Sequence, residues 1–129
     1  MVSVTRLGMI YVAALLLFVT GIAHSYLGER YILIRLFKRD GLPILFGGTA
    51  FTVGTLRFAW HLTTVAWWGL GYLLIVIAGP GLDAHHALNA IAVIALISGI
   101  FPLVMTKGRH LSWIVFFTVA ALLFAAARG

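Results

Sequence analysis

The stretch TLRFAWHLTTVAWWGLGYLLIVIA, residues 55–78, decides how the chain is read. Coiled as a helix it reaches about 36 Å, more than the ~30 Å of a bilayer's hydrocarbon layer. Yet it carries Arg57 and His61 close to its beginning. An ionisable side chain at membrane depth costs about 2.5–3.5 kcal/mol or more unless it is paired, solvated or ligated, so each of the two marks a candidate site.

The rest of the chain agrees with a membrane reading. Of 129 residues 63% are hydrophobic and 9% charged, against roughly 45–50% and 25% in soluble proteins. Hydropathy places four spans at about 7–28, 55–78, 86–104 and 110–127, with an amphipathic interfacial segment at 31–39 where Arg35, Lys38 and Arg39 share one face. The expectation is an all-α membrane protein, one domain over residues 1–129, folded as a four-transmembrane-helix bundle. The early apolar run is too long for a secretory signal core and has no A-x-A cleavage site, so it reads as a retained first span. Gly47, Gly48 and Gly54 leave the start of the second helix open between Pro43 and Thr55, with the later start favoured. Pro102 predicts a kink or an early end to the third span. Ala121 and Ala125, one turn apart, predict close packing of the fourth.

Charge fixes the expected orientation. Arg30, Arg35, Lys38, Arg39, Arg57, Lys107 and Arg109 fall on one side, and only Arg6 and Arg128 on the other. By the positive-inside rule the 27–54 and 105–109 connections are cytoplasmic and both termini lie outside, in what is expected to be a bacterial inner membrane. The bases sit in connections between apolar runs, not on a soluble face, so nucleic acid is not an expected partner. The lipid bilayer is. With no cysteine the chain forms no disulfide, thiolate metal site or covalent c-type haem. Its three acids, Glu29, Asp40 and Asp83, leave almost no material for paired-carboxylate or Ser-His-Asp catalysis.

Depth then sorts the five histidines. His24, His61 and His110 fall toward the cytoplasmic side; His85 and His86 open the third span on the other. His24 and His61 lie on neighbouring antiparallel helices at matching height, each about 9 Å from a helix end. Imidazole is a common ligand for metals and for haem iron. Gly21 and Thr20 would leave room for a flat ring beside His24, while Arg57, Thr64 and Trp68 surround His61. Arg57 would meet one haem propionate, and Arg30, Arg109 or His110 the other.

Carried by GIAHSYLGE at 21–29 and LRFAWH at 56–61, the chain resembles a membrane cytochrome b, a four-helix bundle with haem held between histidines of neighbouring helices. It departs from the b561-type families, whose ligand histidines lie deeper and which often hold two haems. The resemblance implies haem b on His24 and His61, and electron transfer or haem sensing. One haem near one face would need a quinone, a redox partner protein or a homodimer to carry an electron further, which leaves a role as a membrane oxidoreductase component open. Two other classes compete. One is a zinc or non-haem iron site from His24, His61 and His110 with Glu29. The other is a small transporter or structural subunit without a prosthetic group.

Overall fold

The computed structural model describes residues 3–129 and is helical, with no strand among the described residues. Helix α1, Val4–Leu36, is 33 residues long. Ser3 opens it, its hydroxyl accepting from the Arg6 backbone N–H at 3.2 Å. Within it, Gly28–Leu33 widens to a π-helical turn in which the Ile34 N–H reaches back to the Glu29 carbonyl. The helix therefore runs through most of the segment expected to lie apart as an interfacial helix. No Gly or Pro interrupts residues 29–36, so no breaker halts the coil before its end at Leu36.

Residues 37–49 turn the chain. Gly41, Phe46 and Gly47 take positive φ, and Leu45 and Gly48 exchange backbone hydrogen bonds of 2.9 and 3.3 Å. Helix α2 is Ala50–Ala78, starting between the two alternatives left by the sequence. Pro43 does not open it, because the Phe46–Gly47 reversal intervenes. Gly54 does not weaken it, because a Cβ there would strike the carbonyl oxygen of Met105 on the neighbouring helix; the missing side chain permits the contact.

Helix α3, Ala84–Met105, is N-capped by Asp83, whose carboxylate accepts from the His86 N–H at 2.7 Å. Pro102 is fully buried inside its last turn without ending it. Its carbonyl accepts from the Thr106 hydroxyl at 2.6 Å and the Thr106 N–H at 3.1 Å. Lys107 and Gly108, both at positive φ, lead into α4, Ser112–Ala126. Three helices, α1 to α3, are long and apolar enough to cross a membrane, whereas α4 has 15 residues. In α4 it is Ala120 that is buried, while Ala121 and Ala125 are exposed, so the small-residue face is turned from the one expected.

Each helix packs on the next: α1 on α2, α2 on α3, α3 on α4. Among the described residues α1 touches neither α3 nor α4, so the four form an open row and not a closed square. The two middle helices supply most buried residues, and the α1–α2 seam carries the side-chain hydrogen bonds and ion pairs that join Ser25 and Glu29 to Arg57, His61 and Thr64.

Candidate functional site

The seam is a ladder. On α1, Gly21, Ser25 and Glu29 recur every four residues and so line one face; on α2, Arg57, His61, Thr64 and Trp68 recur at four, three and four. The helices run antiparallel, so low numbers on one meet high numbers on the other. Thr64 donates to the Gly21 carbonyl at 3.2 Å or shares its proton with the Ser25 hydroxyl at 2.7 Å. Ser25 also lies 2.8 Å from His61 Nδ1. Glu29 ends the ladder. Arg57 Nη2 meets its Oε1 at 2.9 Å, Arg57 Nε donates to Oε2 at 3.2 Å, and His61 Nε2 lies 3.3 Å from the same Oε2. The Arg57–Glu29 contact is bidentate, the geometry in which guanidinium and carboxylate bind with most directional strength. Arg57 also lies over the Phe37 ring at 5.0 Å.

His24 faces elsewhere. Its ring stacks flat on Trp60, with centroids 4.6 Å apart and planes 3° from parallel, and meets the edge of Trp67 at 5.0 Å. The two residues also exchange backbone bonds: His24 Nε2 donates to the Trp60 carbonyl at 3.3 Å, and Trp60 Nε1 to the His24 carbonyl at 3.1 Å. Gly28 makes room, since a Cβ there would collide with the Trp60 indole. His110 is a third separate arrangement, 2.8 Å from the Ser112 hydroxyl and 4.9 Å from the Phe58 ring. Arg109 lies over Phe46, and Arg30 over Tyr31.

These positions bear on a haem between His24 and His61. Such a group needs one nitrogen of each imidazole aimed at a common iron with an open slot between them. Both nitrogens of His61 are engaged, by Ser25 and Glu29. His24 lines a pocket with Trp60 and Trp67, whereas Ser25 and Glu29 line a different one. The room expected beside Gly21 is taken by Trp68 and Thr64, whose side chains lie where its Cβ would be. The residues present do not fit the sandwich. A shared His24/His61/His110 metal site fares no better, because among the described residues no three of His, Cys, Asp and Glu converge.

The ladder instead borders open space. Ser25, Glu29 and Arg30 of α1, with Trp68 of α2, line a lateral pocket of about 570 Å³. Trp68 is also a wall of a second cleft of about 500 Å³ between α2 and α3, bounded by Tyr72, Asn89, Val93, Ile97 and Phe101. Phe101 in turn sits 6.4 Å from the His61 ring. The Trp68 indole is held by a 3.1 Å bond from Nε1 to the Phe18 carbonyl, so the shared wall is fixed to both helices. Ser25 is the member that sequence reasoning missed. A signal existed, a hydroxyl one turn from both Gly21 and Glu29, but a lone serine in an apolar helix usually bonds its own backbone. Compared with protein-family models, with curated proteins and with solved structures, the chain matches none.

Proposed function

We propose that the chain is an integral membrane protein of four spans, with both termini outside and basic cytoplasmic connections, whose first two spans bind the polar head of an amphiphile taken from the bilayer. Length and composition support the first three spans. Counting about twenty residues, or ~30 Å, back from Ala78 sets the inner edge of the hydrocarbon near Ala59. Arg57 and Glu29 then sit at that edge and His61, Thr64 and Ser25 just within it. Helix α4, about 22 Å long at 1.5 Å per residue, crosses by local thinning, with Arg109 and Arg128 snorkelling at its ends.

One observation carries the reading. Glu29 is held by Arg57 and His61 and at the same time lines a lateral pocket whose other walls are mostly apolar. A few convergent polar groups at the end of an apolar recess is the pattern of a small-molecule site. Because the pocket opens sideways, the molecule enters from lipid. No prosthetic group is required.

The test is chemical analysis of protein purified in mild detergent after haem supplementation. The expected result is an apolar-tailed compound extracted in near-stoichiometric amount from the wild type, much reduced in Glu29→Gln and in Ser25→Leu, with no Soret band. A Soret band lost on His24→Ala or His61→Ala, or equal extracts from all variants, overturns the reading.

A further inference from the structure

Resting on that reading, we infer that the amphiphile is an isoprenoid quinone or its quinol, with its ring beside Trp68 in the Ser25–Glu29 pocket and its tail in the α2–α3 cleft. The head pocket argues for a flat, uncharged group. Trp68 presents a fixed aromatic face and Tyr26 a second ring at the rim. The polar groups facing it are of opposite sign, Glu29 as acceptor and Arg30 as donor. A phosphate head would meet the Glu29 carboxylate, and a cationic head the Arg30 guanidinium. A quinone carbonyl accepts from a guanidinium, and a quinol hydroxyl both accepts from a guanidinium and donates to a carboxylate, so the neutral quinol satisfies both groups and the quinone the first. Behind Glu29 the contacts to His61, Ser25 and Thr64 form an unbroken hydrogen-bonded file that holds the carboxylate in place as the acceptor for a quinol hydroxyl.

The tail has its own place. The α2–α3 cleft shares Trp68 with the head pocket and is lined by Val93, Ile97 and Phe101, with Asn89 its polar lining side chain. Its volume of about 500 Å³ lies in the range of small-molecule pockets, roughly 300–1,000 Å³.

The experiment uses the whole chain in phosphatidylcholine nanodiscs, titrated with decylubiquinone while intrinsic tryptophan emission is followed. Saturable quenching by one site per chain is expected, above the linear quenching caused by partition into lipid. Val93→Phe, which fills the cleft without touching the head pocket, is expected to weaken it about tenfold, and Glu29→Gln by a similar factor. Helical circular dichroism verifies folding, and if Glu29→Gln fails to fold, Val93→Phe alone decides. Quenching that stays linear, or a Val93→Phe curve matching the wild type, overturns the inference. If decylubiquinone fails to saturate but phosphatidylglycerol is retained by the wild type and lost from Glu29→Gln, the quinone is wrong and the amphiphile site stands. If neither binds, both fall.

Discussion

Glu29 is the one glutamate in the chain, and it is the residue on which two helices converge. Its value to the seam is directional, because at 30–34% exposure of the two side chains much of the Coulomb attraction to Arg57 is screened by the surroundings. Shape matters as much as charge here. Gly28→Ala is expected to push the Trp60 indole off His24 and separate α1 from α2, at about 1–3 kcal/mol typical of overpacking. Thermal unfolding of the purified variant measures it, and a melting temperature equal to the wild type would show that the stack yields without cost. At this scale the sequence was half legible. Spacing picked out Arg57, His61, Thr64, Trp68 and Gly21, because ionisable or small residues in an apolar run are conspicuous. It left the partners unread, since depth along a helix gives height but not the direction in which a ring points. His24 and His61 match in height, yet one stacks on Trp60 and the other meets Ser25 and Glu29.

Elements were legible where a stop or a cap is local. Asp83 reads as an N-cap from its place after a Gly-Pro-Gly turn, and it caps α3. The backbone N–H of His86, and then its imidazole, hold Asp83 below the ordinary aspartate value of 3.8. A carboxyl depressed on folding adds stability that is present above its unfolded value and is lost as pH falls through the folded one. Asp83→Ala is therefore expected to melt below the wild type at neutral pH, with the two converging as the pH drops below 3.8. A gap that persists in acid would place the effect outside the carboxylate. The start of α2 was less legible, because three glycines in eight residues read as weakness from sequence alone. Two roles are mixed in them: Gly47 turns the chain, and Gly54 admits the Met105 carbonyl from a helix more than fifty residues away. The length of α1 was hidden for a related reason. Its basic stretch matched an interfacial helix by composition, while the absence of any breaker let the coil continue.

For the whole molecule, hydropathy gave the helices and not their arrangement. A four-helix bundle was the expectation from four apolar runs, and the four helices are there, but they stand in an open row in which α1 packs on neither α3 nor α4, with recesses along it. Nothing in a single apolar face distinguishes lipid from a fourth neighbour, since both bury the same residue types. Orientation is testable directly, because the chain lacks cysteine and a single introduced cysteine is the one thiol a probe can label. With a membrane-impermeant maleimide on intact cells, Leu82→Cys is expected to label and Asp40→Cys to stay protected until the membrane is broken. The reverse pattern would invert the whole assignment of inside and outside. The seam itself has a reporter already in place. With glutamate labelled at its carboxyl carbon, the protein in nanodiscs gives a single side-chain resonance, from Glu29. The expected result is that this line moves when decylubiquinone is added to saturation and stays put when Val93→Phe is treated in the same way. A line that does not respond to the wild type's ligand would contradict the claim that the Glu29 pocket is where this protein binds.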